Sequence, residues 1–254
     1  MLRFQHPEKV LGYLGPLSAD RLGPLFGLSS DEYEQIRGQY AEQARQIAAD
    51  LLADQEVAEA VDRLPFAPGA HVAAVGESTT ADLLSWFEIL RHLLGLRRPH
   101  DRITLVNLAV TGQTTTQALA GLPALTAQPP DWVLCMLGGN DATRFGGSDT
   151  TRVSLGETER NLRLLRGACA AGWAWIAPTP VDEARIAAYQ PFQRAGLRWA
   201  NDDVAAIASI LADMPEPTVA LTTPAHEDDG LHLSAAGQRA LAEVVVKALA
   251  EETS

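Results

Sequence analysis

Residues 71–80 read His-Val-Ala-Ala-Val-Gly-Glu-Ser-Thr-Thr, a short apolar run followed by a turn and small hydroxyl residues. A run of this length and composition predicts a strand that is covered on both faces of a sheet. Further apolar runs alternate with helical patterns, and the sequence thus predicts five strands, at residues 71–75, 103–107, 132–137, 173–177 and 218–222. Because a parallel return needs a crossover helix, this alternation predicts a three-layer α/β domain with a parallel sheet.

The first 66 residues have a different pattern. A helix is expected to begin at Ser30, because acidic residues follow at once, where the helix dipole favours them. Apolar residues then recur at helical spacing as far as Leu52. We interpret residues 1–66 as a helical extension that packs on an α/β domain of residues 67–254. An arm that binds a partner protein is the alternative interpretation.

Composition and charge limit the classes of partner. The chain has 254 residues and a net charge of −12, which argues against nucleic acid or an anionic membrane as the main partner. Its two cysteines, Cys135 and Cys169, fit no metal or redox spacing. With no apolar signal core and no run long enough to span a membrane, we expect a cytoplasmic location. The scarcity of lysine favours a GC-rich bacterial genome, and no oligomeric state follows from the sequence.

Glycine-rich or polar loops follow four of the five predicted strands. They comprise residues 76–80, 107–112, 138–141 and 228–232. Each is unremarkable by itself, since a Gly-x-Ser or Gly-Gly-Asn sequence is usually only a turn. Ligands of parallel sheets bind beyond the carboxyl ends of the strands, where these four loops are expected to meet. Their convergence therefore indicates a functional site.

The four loops contain the groups that a serine hydrolase needs. The hydroxyl of Ser78 requires a base to become nucleophilic, and the imidazole of His232 can take its proton. The carboxylate of Asp229 can fix the imidazole tautomer and stabilise its charged form. A tetrahedral intermediate needs donors aimed at its oxyanion, and the side-chain amide of Asn140 can be one of them.

In their order along the chain, these blocks resemble those of the SGNH or GDSL-type hydrolases, over roughly residues 68–254. The resemblance implies a flavodoxin-like sheet of strand order 2-1-3-4-5 and a serine esterase or acyltransferase mechanism without metal or other cofactor. It also implies Ser78 as the nucleophile, with Asp229 and His232 completing the triad. The implied oxyanion hole consists of the Asn140 side chain and the backbone N–H groups of Ser78 and Ala109.

Two residues depart from the pattern of that family. Glu77 stands where aspartate is usual, and its extra methylene predicts a local repacking of the turn. Ala109 stands where glycine is usual. Its N–H is retained, but an alanine would be strained if the oxyanion hole requires a positive φ there.

The sequence therefore predicts a carboxylic ester hydrolase that acts on a small-molecule ester through an acyl-enzyme on Ser78. An acyltransferase or deacetylase that uses the same site is one alternative, and a ligand-binding or interaction module without esterase activity is another. Arg144, Tyr189 and Phe192 are candidate substrate-binding residues, the first for an anionic group and the aromatic pair as walls of an acyl pocket. A solvated arginine and rings that only pin their loop are the simpler interpretation.

Two other kinds of site were considered for the same loops. The run His-Glu-Asp-Asp-Gly-Leu-His at 226–232 contains metal-ligating types, but it lacks the helical His-Glu-x-x-His spacing. The turn at Gly76 could cradle a phosphate, but neither glycine-rich phosphate-binding pattern follows the first strand. The absence of a Gly-x-Ser-x-Gly elbow disfavours a conventional α/β-hydrolase.

Overall fold

A computed structural model describes residues 2–11 and 14–251. The strands are β1 (His71–Gly76), β2 (Thr104–Asn107), β3 (Trp132–Met136), β4 (Arg144–Phe145), β5 (Gly172–Ile176), β6 (Leu197–Arg198) and β7 (Thr218–Val219). Five of them form one sheet of order β2-β1-β3-β5-β7 in which all neighbours are parallel. Counted without β4 and β6, this is the order 2-1-3-4-5, so the predicted fold class and strand order are confirmed.

The helices that precede and connect the strands are α1 (Pro7–Val10), α2 (Ala19–Leu22), α3 (Ser30–Leu52), α4 (Gln55–Arg63), α5 (Ser78–Ala81), α6 (Trp86–Arg97), α7 (Thr115–Ala118), α8 (Leu122–Ala127), α9 (Leu155–Gly167), α10 (Glu183–Ala188), α11 (Gln190–Ala195), α12 (Asn201–Ala212) and α13 (Ala235–Glu251). Short 3-10 turns occupy Gly23–Phe26, Pro99–Asp101 and Leu119–Gly121. Within residues 2–11 and 14–251, none of these helices is long and apolar enough to span a membrane.

The sheet is covered on both faces because successive strand residues point in opposite directions. In β1, Val72 and Ala74 belong to one buried cluster, with residues of α3, α4, α6 and α13. Ala73 and Val75 belong to a second cluster, with residues of α7, α8, α9 and α12. The central strands β1, β3 and β5 are therefore buried at nearly every position, which explains their continuous apolar runs in the sequence.

The first helices of the chain share this core. A capping box starts α3, in which Ser29 and Glu32 satisfy each other's backbone N–H groups. The apolar face of α3 is buried through Ala44, Ala48 and Leu51, all in the cluster that includes α6 and α13. The face that predicted a packed extension is thus covered by other parts of the same chain.

Three local features differ from the sequence-based expectations. The sequence pattern of residues 114–122 predicts one short helix, but the structure has α7, a 3-10 turn and then α8, which begins at Leu122 and has a proline in its first turn. The antiparallel pair of β4 and β6 was not predicted, since each strand has only two residues. The fifth strand, β7, is shorter than expected because it pairs only at Thr218 and Val219, on the edge of the sheet.

Candidate active site

The first loop of the site connects β1 to the short helix α5, which begins at Ser78. Ser78 is 8% exposed at the carboxyl edge of the sheet. The first N–H groups of a helix have no partner within it. Among the described hydrogen bonds, none uses the backbone N–H of Ser78. This turn therefore offers both a hydroxyl and a free backbone donor.

The last loop brings Asp229 and His232 together three residues apart. The ring Nδ1 of His232 donates to Asp229 Oδ2 at 2.6 Å. The other carboxylate oxygen accepts the backbone N–H groups of Leu231 and His232, each at 2.9 Å. Burial alone would raise the pKa of Asp229, but the hydrogen bonds from His232 and the backbone outweigh it and lower that pKa below its usual value. An ionised Asp229 thus holds the imidazole by Nδ1 and leaves Nε2 for chemistry.

No hydrogen bond joins the Ser78 hydroxyl to His232 within the described parts of the chain. Catalytic hydrogen bonds are often long without substrate and tighten in the reacting complex. Ser78 therefore lies at the same edge of the sheet as Asp229 and His232. Of these three residues, only Asp229 and His232 are hydrogen-bonded to each other.

Asn140 lies opposite this turn, on the loop after β3, and Glu77 holds it there. Glu77 Oε2 accepts from the backbone N–H of Asn140 at 3.0 Å and from its side-chain Nδ2 at 2.5 Å. The same Nδ2 also donates to the carbonyl of Gln113 at 3.2 Å. A side chain on Gly139 would collide with Glu77 Oε1, so the glycine and the longer carboxylate are complementary. The local repacking expected from the extra methylene of Glu77 thus consists of its contacts with Gly139 and Asn140.

The pKa of Glu77 leads to a test by stability against pH. Burial, the main cause, raises this pKa to about 8, against the opposing hydrogen bonds from Asn140 and Gly139. The folded chain therefore retains a proton that the unfolded chain loses above the ordinary pKa of about 4.3. Stability from this group is present at low pH and is lost as the pH rises to about 8. We expect the Tm of the wild type to fall more between pH 5 and 8 than that of Glu77→Gln, as measured by calorimetry; parallel curves would contradict this.

The backbone donors after β2 differ from the expectation at Ala109. The N–H of Ala109 donates to the side-chain Oδ1 of Asn107 at 3.1 Å, so it already has a partner. Gly112, in the same loop, has a φ of +76°, a conformation that glycine adopts without strain. No described hydrogen bond uses its N–H, and the carbonyl of the next residue, Gln113, touches Asn140. Gly112 is the last residue of the 107–112 block, so its unused N–H lies in the loop that the sequence already assigned to the site.

None of the three candidate substrate residues lines the small cavity beside Ser78. Arg144 forms a two-point ion pair with Asp203 at 2.7 and 2.9 Å, so its charge is already balanced within the chain. Tyr189 and Phe192 pack edge to face with ring centroids 5.0 Å apart. Phe192 in turn packs on Trp199 at 5.2 Å.

Trp199, which belongs to none of the four loops assigned to the site from the sequence, lines two neighbouring spaces. One is a cavity of about 30 Å³ beside Ser78, which Asn140 also lines. The other is a cleft of about 480 Å³ that includes Arg144 and parts of α10 and α11. The indole N–H donates to the carbonyl of Gly139 at 2.9 Å and fixes the ring between these spaces.

The loop considered as a metal site has other contacts. The His226 ring is hydrogen-bonded to the carbonyl of Pro180 at 2.9 Å, whereas His232 is bound to Asp229. In the described ranges, no group of three or more histidine, cysteine or acidic side chains is arranged to hold a metal ion.

Residues 74–240 match the model of the GDSL-like Lipase/Acylhydrolase family. In sequence, the chain is similar to Thioesterase 1/protease 1/lysophospholipase L1 of Escherichia coli (strain K12), at 49% identity over 45 residues. That match covers 17% of this chain and 22% of the E. coli protein, so it spans only about a fifth of the relative.

Solved structures of low sequence identity share the fold. A catalytic mutant of an acetylxylan esterase from Geobacillus stearothermophilus has a TM-score of 0.56 at 21% identity, with 72% of this chain and 95% of that chain covered. The lipase/acylhydrolase from Enterococcus faecalis has a TM-score of 0.56 at 19% identity, with 72% and 96% covered. Catalytic mutants of the Geobacillus esterase replace an aspartate, a serine and a histidine.

Proposed function

The chain belongs to the GDSL-like Lipase/Acylhydrolase family, and on that basis we propose that it hydrolyses a small carboxylic ester through an acyl-enzyme on Ser78. The observation that carries the proposal is the 2.6 Å bond from His232 to Asp229, on a loop that meets the Ser78 turn at one sheet edge. The same three residue types are replaced in the catalytic mutants of the Geobacillus esterase.

In the proposed reaction, His232 Nε2 takes the proton of Ser78 as its Oγ attacks the ester carbonyl. The imidazolium that forms is stabilised by Asp229, whose lowered pKa keeps it ionised. His232 then gives its proton to the leaving alkoxide, and the acyl group remains on Ser78. Water attacks this acyl-enzyme with His232 again as base, which releases the acid and restores the hydroxyl.

The proposed oxyanion hole consists of the backbone N–H of Ser78, the side-chain Nδ2 of Asn140 and the N–H of Gly112. Gly112 takes the role expected of Ala109, because the N–H of Ala109 is bound to Asn107. Nδ2 of Asn140 donates to Glu77 at 2.5 Å and to Gln113 at 3.2 Å. The longer of these bonds is the one that a developing oxyanion would replace, while Glu77 keeps the amide oriented.

The space beside Ser78 favours a short acyl group. The cavity there has about 30 Å³, and its apolar lining includes Trp199, Val181, Val204 and Leu231. A volume of this size holds a water molecule or a methyl group, and a longer chain would not enter it. We therefore include acetyl esters as the substrate class in the proposal, with transfer to an acceptor alcohol or deacetylation as the alternatives at the same site.

A cytoplasmic location is part of the same proposal. Both cysteines are free, with Cys135 buried and Cys169 partly exposed. Free thiols are usual in the reducing cytosol.

Reaction with a fluorophosphonate probe tests the proposal directly. We expect the purified protein to be labelled at one site, because the probe modifies only serines that an adjacent base activates. Labelling should vanish in Ser78→Ala and persist in Ser209→Ala, a change of an exposed serine on α12. Mass spectrometry of the labelled peptide locates the site. Absence of labelling in folded wild-type protein would contradict the proposal and favour an interaction module.

A further inference from the structure

Residues 2–9, here called the arm, precede the long helix α3 and lie outside the residues matched by the family model. The arm runs along the catalytic edge of the sheet. The Phe4 ring lies against the imidazole of His232, with ring centroids 4.5 Å apart and planes inclined by 35°. An element outside the family domain therefore contacts the proposed general base.

Arg3 anchors the arm beside that contact. Its guanidinium forms a two-point ion pair with Asp82, both bonds being 2.7 Å, and Asp82 is completely buried directly after α5. It also donates to the carboxylate of Glu227 at 2.5 Å and to the carbonyl of Leu233 at 3.1 Å. Arg3 thus connects the helix that begins at Ser78 to both sides of the loop that carries Asp229 and His232.

The other end of the arm holds the loop after β2. The ammonium group of Lys9 donates to the carbonyl of Ala109 at 2.9 Å and to Oδ1 of Asn107 at 3.2 Å. The hydroxyl of Thr111 donates to the carbonyl of Phe4. These three partners precede Gly112, so the arm fixes the segment that presents the proposed backbone donor.

We propose that the arm is a positioning element of the active site, in which Phe4 holds the imidazole of His232 and Lys9 holds the 107–112 loop. This inference rests on the proposed function, since it assigns roles relative to His232 and Gly112. Neither residue touches the reacting atoms, and each acts through the group that it contacts. A displacement of a catalytic group by about 1 Å can cost about a hundredfold in rate, so loss of either contact should lower kcat.

Phe4→Ala tests the contact with His232. We expect kcat per active site to fall about tenfold to a hundredfold, with KM changed less than about twofold, because the imidazole is then free to rotate. Active sites are counted by fluorophosphonate titration, so that unfolded protein does not contribute. Phe4→Tyr, which keeps the flat ring, should restore kcat to near the wild-type value. Phe145→Ala, at an exposed ring on β4, should leave it unchanged.

The two lysines of the chain provide a matched pair for the other contact. Lys9→Met removes both bonds to the 107–112 loop, and we expect a fall of about tenfold in kcat per titrated site with little change in KM. Lys247→Met removes only contacts with Glu243 and Glu56 at the surface and should have no effect.

The outcomes separate this inference from the proposed function. If wild-type protein is labelled and turns over esters, but Phe4→Ala and Lys9→Met keep the wild-type kcat per site, the arm only packs and the inference is overturned. The same conclusion follows if Phe4→Tyr is as slow as Phe4→Ala. If wild-type protein is neither labelled nor active, the proposed function itself has failed.

Discussion

Ser78→Ala is expected to lower kcat for ester hydrolysis by about a millionfold, because no other described group can replace this nucleophile. Its neighbour Thr80 is fully buried and accepts a hydrogen bond from the indole of Trp86. The other hydroxyl nearby, that of Thr79, lies one residue farther along α5 on a different side of the helix. The residual rate should be the one that the oxyanion donors alone provide.

The measurement is steady-state hydrolysis of p-nitrophenyl acetate by purified protein, with Tm measured alongside. Ser209→Ala serves as the control, since it removes an exposed hydroxyl remote from the site. A serine-to-alanine change at the first residue of the short helix α5 should alter Tm little, so lost activity cannot be attributed to unfolding. Near-normal turnover by Ser78→Ala would refute the assignment of the nucleophile.

Asp229→Asn is expected to lower kcat by about ten-thousandfold, as replacement of the orienting carboxylate does in other serine triads. The amide oxygen can still accept the backbone N–H groups of Leu231 and His232, so the loop should keep its shape. The amide N–H₂ would instead donate to Nδ1 of His232, which places the ring proton on Nε2. That tautomer cannot take the proton of Ser78.

Asp228→Asn is the matched control, because Asp228 is adjacent and exposed. Both variants should be compared in kcat/KM from pH 5 to 9, with Tm as the measure of folding. A recovery of activity at high pH in Asp229→Asn would agree with a tautomer defect, since hydroxide can then assist removal of the proton. Equal rates in the two variants would remove Asp229 from the triad.

The parallel sheet was predictable from the sequence because its central strands β1, β3 and β5 are buried on both faces and so form apolar runs. The four loops could be assigned to one edge of the sheet because parallel strands place their carboxyl ends together. Asp229 and His232 were the easiest pair, because a three-residue spacing brings them into contact within one loop. Their hydrogen bond therefore follows from residues that are close together in the sequence.

Other features depended on contacts that no local pattern records. Phe4 meets His232 across 228 positions of the chain, and the arm of residues 2–9 had no periodicity that pointed to a site. Trp199 stands between Arg198 and Asn201, outside all four loops that the sequence assigned to the site. The Asn107 side chain turns back onto the N–H of Ala109, a contact that spacing alone does not reveal.

The position of Trp199 also has a consequence for how substrate preference could change in evolution. Its ring is a common wall of the 30 Å³ cavity and the 480 Å³ cleft, whereas Ser78, Asp229 and His232 belong to other loops. A small residue in place of Trp199 would enlarge the proposed space for the acyl group without replacing Ser78, Asp229 or His232. Substrate preference can therefore evolve at a residue that takes no part in the proposed reaction. Related proteins can then prefer different acyl groups while they share one mechanism.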